Sequence, residues 1–419
     1  MNSRRDHIIL ITTFLATFTA LLMWAGASLP EEPDVPGPPP GTYKVHSDDG
    51  EIEIPFVIFR DDILMLARVN GVQLRMLLDN GSLWDQLLFF GSPTIDSIGL
   101  DYDSEIQVGG SGEDDPVMSD MASDVTIRFS EIEFFGQPAI TTPYSSGITS
   151  LWEGSDGQVS AAFFKHFVVD INFDEGVIRL IPPDEFTYAG EGVEIPMTPA
   201  SFGSWTVPGT LEMDSGEVKQ VDLMLDLGDL HALSLTTGPT YGIEVPDEAL
   251  ETSLGFGVQG EIKGHLGRVR SVLVGGYTFD NVLAGFQAPD GDGRTDDDAY
   301  IGFGLLSRFN VVFDYNGKRM FVEPNRRFSE PFEYNMSGMM MRPGAEGAFV
   351  VVKVYPGSPA DEAGLKRGDL ITHIDGEPTA GRKTWDFSPL FLEEGRTLDL
   401  GVSSGGEARV VSIVLRRMI

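Results

Sequence analysis

Two acidic residues stand at the ends of apolar runs, each followed two positions later by glycine: Leu77-Leu78-Asp79-Asn80-Gly81-Ser82 and Met224-Leu225-Asp226-Leu227-Gly228-Asp229. An apolar strand delivers a carboxylate to its end, and the glycine lets backbone on a tight loop approach closely. Where two such loops face each other, the like charges cannot both ionise, and one proton is shared between them. A pair of this kind activates a water with one carboxylate and protonates a leaving amine with the other. It needs neither a metal nor a nucleophilic side chain. Either aspartate alone reads as a strand-end turn residue, since Asp before Gly is common in hairpins. Their recurrence in matching frames sets them apart.

The elements that must position the two acids recur as well. Ala67 to Ser82 corresponds to Gly216 to Asp229, and Phe164 to Asp174 corresponds to Leu306 to Asn316. Asp79 to Asp226 is 147 residues and Phe167 to Phe309 is 142, so one lobe occurs twice with different loops. Two copies are too few for a solenoid, and a pair about a pseudo-twofold axis is the economical arrangement. Short alternating runs rich in Val, Ile, Phe and Thr make the expected fold mainly β. One segment, Asp247 to Leu254, is predicted helical. Gly255 to Gly260 spells a dinucleotide fingerprint, but it leads into alternating β sequence instead of opening a helix after a strand, and is set aside.

The chain has 419 residues, with 29 Lys+Arg against 64 Asp+Glu and a formal charge of −35, which argues against a nucleic-acid partner. Cysteine is absent, which excludes disulfides, thiol nucleophiles and Cys-ligated zinc together. No His-Glu-x-x-His, Gly-x-Ser-x-Gly or Walker loop occurs, so the expectation is carboxylate chemistry without a cofactor. His166 and His231 read as structural histidines on strands. The weak calcium candidate, Asp290, Asp292 and Asp296, fails the EF-hand pattern at Arg294 and Ile301, and reads as a solvated acidic hairpin.

Arg4 and Arg5 precede an uncharged stretch from Ile8 to Ala27 that ends in Ala25-Gly26-Ala27, the small-residue pattern of an export cleavage site. At ~1.5 Å per residue the same stretch matches a ~30 Å hydrocarbon core. Residues 1–29 therefore read as a signal peptide or a membrane anchor, with membrane attachment through residues 8–27 in the second case. The expected location is the bacterial periplasm, free or anchored. Residues 30–44 read as a stiff Pro-rich linker.

Residues 331–419 carry Ser358-Pro359-Ala360, Ala363-Gly364-Leu365, Gly368-Asp369-Leu370-Ile371 and Ile374-Asp375-Gly376. This pattern resembles the bacterial members of the PDZ family. The resemblance implies that protein C-termini dock on the backbone N–H groups of Gly338-Met339-Met340-Met341 and add as an extra strand. By alternation, Met340 is expected to be core filler. Residues 384–392 should supply the groove-lining helix, irregular at Pro389.

The middle of the chain is similar to the retropepsin-like aspartic protease family, with two lobes in one chain as in pepsin-type enzymes. The full expectation is a mainly β protein with two tandem retropepsin-like β-barrel lobes, residues 45–188 and 189–328, related by a pseudo-twofold, plus a C-terminal PDZ domain. The resemblance implies a catalytic dyad of Asp79 and Asp226 acting on an extended peptide or protein. It implies loop support from Asn80, Gly81, Ser82, Leu227, Gly228, Asp229 and Gly302, with Ser82 bonding the outer oxygen of Asp79. Flap tips are expected at Val108 to Gly112 and Gly255 to Gly260, through Gly109, Gly110 and Gly257. Three departures stand out. Asn80 and Leu227 replace the family's Thr or Ser, and since Leu227 has nothing to donate, a loosened pair is predicted. Asp229 adds a third negative charge, and Ser160 stands where a glycine is expected. Two functions follow: an exported aspartic-type endopeptidase with a PDZ module for substrate selection or regulation, or a catalytically inactive pseudoprotease that binds peptides.

Overall fold

Strand Asp62–Val69 buries Ile63, Met65, Ala67 and Val69 and exposes Leu66 between them, the period of two expected of a sheet with one covered face. Strand Val72–Leu78 breaks that alternation at its end, where Met76, Leu77 and Leu78 are all buried. There it runs parallel to Gly157–Val159 inside the sheet and is covered on both faces. Strand Val218–Asp226 does the same, burying Leu223, Met224 and Leu225 beside the parallel strand Ala299–Gly302. The computed structural model describes residues 41–419 except 49, 82–85, 113, 144–153, 160–161, 201–202 and 289–298. The segment 1–29, most of the Pro-rich linker, Ser82, Ser160 and the acidic loop with Asp290, Asp292 and Asp296 lie outside the described residues.

The same pairings occur twice. Leu87–Phe90 is parallel to Ile132–Thr142 and antiparallel to Gly157–Val159. Leu233–Thr236 is parallel to Tyr277–Gln287 and antiparallel to Ala299–Gly302. The two lobes meet where Val168–Asn172 pairs antiparallel with Phe309–Asp314, placing Asp170 opposite Val312. With Phe167 equivalent to Phe309, Asp170 and Val312 are equivalent residues. The flanking pairs, Val169 with Phe313 and Ile171 with Val311, exchange under the repeat, as a twofold axis through the ladder requires. A single apolar core containing Phe164, Phe167, Phe303, Phe309 and Phe313 runs through both lobes.

The segment expected to be helical, Asp247 to Leu254, instead enters the strand Leu250–Gly257, which pairs with Gly260–Val274 through a bulge between Ser253 and Gly255. Cross-strand partners at Leu266, His265 and Gly264 supply hydrogen bonds that local propensity cannot foresee.

The C-terminal region forms its own sheet, from Met339–Pro343 through Phe349–Val354, Leu370–Ile374 and Thr397–Ser404 to Glu407–Val414, over a core that includes Phe349, Phe387, Phe391 and Leu400. Ser358 caps the short helix Pro359–Glu362, its Oγ accepting from the Asp361 N–H at 3.2 Å. Thr384–Asp386 and Ser388–Phe391 are two 3-10 turns, with Pro389 in the second, in place of a regular helix. A bulge between Met340 and Met341 resets the alternation. Met339 is therefore the buried core residue, while Met340, expected in that role, is half-buried on another face. Among the described residues no helix is long and apolar enough to cross a membrane.

The connection into this domain is packed against the second lobe. The Arg308 guanidinium lies 3.7 Å from the Phe332 ring and donates to the carbonyls of Gly304 and Glu330. Arg268 donates to the carbonyls of Asn281 at 2.7 Å and Phe332 at 3.0 Å.

Candidate active site

Asp79 and Asp226 leave their strands at the lobe interface, and each carboxylate folds back onto its own loop. Asp79 Oδ1 accepts from the Gly81 N–H at 2.9 Å. Asp226 Oδ1 accepts from the N–H groups of Gly228 at 2.9 Å and Asp229 at 3.2 Å. The two loops face each other closely. A β-carbon on Gly81 would overlap the Asp226 carboxyl group, and one on Gly228 would lie 2.7 Å from the carboxyl carbon of Asp79. Each glycine is thus the floor on which the opposite carboxyl rests. Burial, then the negative charges of Asp79 and Asp229, push Asp226 well above the ordinary carboxylate range, against the pull of its two backbone donors.

The loops are tied across the axis by Asn80, which is 2% exposed. Its Oδ1 accepts from the Leu227 N–H at 2.8 Å, and its Nδ2 donates to the Tyr315 hydroxyl at 3.1 Å. This corrects the expected loosening: Leu227 contributes its main-chain N–H, so the missing hydroxyl does not leave the loops unlinked. Asn80 accepts in that bond, and the fully buried Leu227 side chain packs in the core. Tyr315 is itself clamped between Phe164, at 5.1 Å between ring centroids, and Trp205, at 5.0 Å. Burial pushes its phenol well above the usual range.

Asp229, expected as a third negative charge, is paired. Its Oδ1 lies 3.0 Å from the Nδ1 of His231 and accepts the His231 N–H at 3.0 Å. Burial works against both charges. For Asp229 it is outweighed by the hydrogen bonds of His231 and Ser234 and the charge of His231, which hold it below the usual carboxylate range. For His231 it is outweighed by the hydrogen bond and charge of Asp229, which hold the imidazole above its usual value. His231 sits in the turn after Val218–Asp226, not on a strand as expected, and His166 ends a short helix, Ala162–His166. Gly302 pairs with Asp226 and passes behind this turn, where a β-carbon would overlap the His231 carbonyl.

Two site residues carry no signal in the sequence reading. Gln158, on the strand beside Leu77, donates from Nε2 to Asp79 Oδ2 at 3.0 Å. Asp62, at the start of its strand, has a carboxyl pushed up to about 8 by burial and then by the negative charge of Asp79, with Arg60 opposing. A polar residue inside an otherwise buried strand was the available clue to Gln158.

Both expected flap tips belong to hairpins, Ser104–Val108 with Val117–Phe129 and Leu250–Gly257 with Gly260–Val274, and the tips touch. The Gly110 N–H donates to Gln259 Oε1 at 2.8 Å, the Gln259 N–H to the Ser111 carbonyl at 3.0 Å, and Gln259 Nε2 to the Asp114 carbonyl at 2.7 Å. A β-carbon on Gly257 would overlap the Ser111 carbonyl, so the glycine permits the contact. Gly109 is buried beside Gly110 at the end of its strand. Val258 reaches into an apolar cluster of Leu64, Leu77, Leu88 and Phe90 in the first lobe.

Met339–Pro343 is an edge strand of the C-terminal sheet and abuts the turn Thr384–Asp386. Both walls touch the lobes. On one side, Thr252 Oγ1 donates to Met340 Sδ at 3.6 Å, Lys353 Nζ donates to the Glu251 carbonyl at 2.5 Å, and Arg342 lies 5.7 Å from the Phe256 ring. All three partners belong to the second flap hairpin. On the other side, Trp385 lies 4.6 Å from the Arg60 guanidinium and 6.1 Å from the Phe59 ring, in the turn that leads to Asp62. Gly338 adopts φ 71° before the edge strand. Among the described residues no cluster of His, Cys, Asp and Glu has metal-binding geometry.

Residues 350–397 match the PDZ domain family. Serine protease HTRA1 of Xenopus tropicalis is 40% identical over 67 residues, 16% of this chain and 14% of that protein. The chloroplastic carboxyl-terminal-processing peptidase 2 of Arabidopsis thaliana is 32% identical over 76 residues, 18% of this chain and 15% of that protein. The chain thus spans about a seventh of the length of these curated relatives. The crystal structure of the aspartic proteinase from Irpex lacteus is similar at a TM-score of 0.44 and 12% identity, covering 68% of this chain and 100% of that one.

Proposed function

We propose that this chain is an exported aspartic-type endopeptidase whose dyad, Asp79 and Asp226, cleaves extended peptides or proteins, and whose PDZ domain regulates access to the dyad. The observation that carries this reading is the reciprocal fit of Gly81 against Asp226 and Gly228 against Asp79, and burial and the neighbouring carboxylates raise the affinity of Asp226 for a proton. A water between the carboxyls gives a proton to Asp79 and attacks the scissile carbonyl carbon, while Asp226 gives its proton to the carbonyl oxygen. The tetrahedral gem-diol then collapses: the C–N bond breaks as the proton on Asp79 passes to the leaving amine, and one hydroxyl proton returns to Asp226, leaving a carboxylic acid and restoring the dyad. Asn80 keeps the two loops in register for both transfers.

Substrate enters when the two flap tips separate. The regulatory role rests on the C-terminal contacts: a peptide lying between Met339–Pro343 and Thr384–Asp386 sits between a wall that grips the second flap hairpin and a wall that grips the turn before Asp62. Export rests on residues 8–27, which act as signal peptide or anchor. The test is cleavage of a denatured protein or peptide library at mildly acid pH. Asp79→Asn and Asp226→Asn should each abolish it, and unchanged cleavage by both variants refutes the dyad.

A second reading, peptide binding without turnover, is favoured by one observation: Val258, at the tip of the second flap hairpin, is docked in the apolar cluster of Leu64, Leu77, Leu88 and Phe90 in the first lobe. It predicts peptide binding with no Asp-dependent turnover anywhere from acid to neutral pH.

A further inference from the structure

We infer that Gln158 is the positioning residue that assigns unlike roles to the two carboxyls, holding Asp79 as the charged base and leaving the proton to Asp226; this rests on the peptidase reading above. The two halves of the site are related by the repeat, yet Gln158 has no counterpart of its own kind. Leu77 pairs with Gln158 in the first lobe as Met224 pairs with Tyr300 in the second, so the equivalent position carries a phenol. The difference is chemical. An amide nitrogen only donates, whereas a hydroxyl donates or accepts and so does not distinguish a carboxylate from a carboxylic acid.

Gln158 is 8% exposed, and its Nε2 reaches the outer oxygen of Asp79 at 3.0 Å while the Gly81 N–H holds the inner oxygen at 2.9 Å. Both oxygens of Asp79 therefore accept from fixed protein donors, an environment matched to an ionised group. The two donors described for Asp226, from Gly228 and Asp229, both fall on its inner oxygen. The raised affinity of Asp226 for its proton agrees with this division. The position is also rigid, because the backbone of Gln158 lies in a ladder between Leu77 and Leu88, and only the side-chain torsions are free. Gln158 thus donates to the outer oxygen of Asp79 from 79 positions along the chain.

The test compares wild type with Gln158→Met, which keeps length and apolar bulk but donates nothing, and Gln158→Asn, whose shorter amide falls short of Asp79. The acid limb of kcat/KM against pH should move up by about one pH unit in both variants, a shift of ~1.4 kcal/mol in the ionisation of Asp79. In parallel, the carboxyl carbons of 13C-aspartate-labelled protein are titrated by NMR, with the Asp79 signal assigned by its loss in Asp79→Asn. Its midpoint should rise by the same amount in the Gln158 variants, and this readout needs no turnover. The outcomes separate. If wild type does not cleave, or cleaves without its two aspartates, the peptidase reading fails, and the NMR midpoint alone decides whether Gln158 holds charge on Asp79. If cleavage depends on both aspartates while limb and midpoint stay put in both variants, or only global stability falls, the role assigned to Gln158 is wrong.

Discussion

Asn80 joins two loops that are far apart in the chain, and replacing it with alanine should expose how much of the site depends on one amide. The Asn80→Ala variant strands two buried groups at once: the Leu227 N–H, in a residue with no exposed surface, and the Tyr315 hydroxyl. Leaving a buried polar group without a partner costs about 1–3 kcal/mol, so the two together should destabilise the fold by about 2–6 kcal/mol. Tyr315→Phe keeps the ring between Phe164 and Trp205 and strands only the Asn80 amide nitrogen, at a cost of about 1–2 kcal/mol. In the double variant the hydroxyl and the amide are both gone, and only the Leu227 N–H lacks its bond. The double variant should therefore be at least about 1 kcal/mol more stable than the sum of the single effects predicts. Urea unfolding at fixed pH, followed by tryptophan fluorescence, measures all four corners, with equal m-values checking that the unfolded state is common to them. Additivity within about 0.3 kcal/mol, or a loss below about 0.5 kcal/mol for Asn80→Ala, would refute the claim that this amide clamps the two lobes.

Gly81→Ala should push the Asp226 carboxyl away from Asp79, lowering kcat by at least about 100-fold, while the fold loses about 1–3 kcal/mol in urea; full activity would mean that the loops have slack that the geometry denies. Asp62 binds its proton more tightly when folded, so the stability it contributes is complete below pH 3.8 and is lost as pH rises through about 8. Asp62→Asn should accordingly gain on wild type across that window, by ~2–3 kcal/mol at its upper end once the partial solvation of a half-buried carboxyl is allowed for. A pH-independent difference between the two proteins contradicts this. His231→Gln should be less stable than wild type by about 3 kcal/mol at pH ~5, because Asp229 loses a buried cation. The stabilisation by His231 is full below pH 6.5 and lost as pH rises through its raised folded value, so the gap should narrow on going alkaline; a constant gap implies that the pair is not ionic.

What the sequence discloses about this site follows from how local each feature is. The strand-to-glycine frames around Asp79 and Asp226 are contiguous, and their repetition is legible because both halves lie in one chain. The bond from Leu227 to Asn80 was hidden because its donor is a main-chain N–H, which every residue but proline owns, so reading side-chain chemistry at position 227 suggested a loss that does not occur. The Asp229 and His231 pairing is two residues apart and visible in principle, but only burial makes it an ion pair worth noticing. Met339 and Met340 exchanged roles through one bulge, an irregularity that alternation cannot encode. Asp247 to Leu254 has helix-forming composition, and its strand state is imposed by a partner strand beginning at Gly260.

The axis between Asp170 and Val312 relates two stretches of the same covalent chain, not two molecules. A self-associating half-molecule would receive every substitution twice. Leucine after both aspartates would delete the amide clamp from each side, and glutamine beside both would bind both outer oxygens alike. Here the position of Asn80 is taken by Leu227 in the second lobe and that of Gln158 by Tyr300, an inequality open only to a fused pair. Assembly of the paired aspartates is then a matter of folding and not of encounter, so the site should stay complete at dilutions where a dimer of separate halves would fall apart.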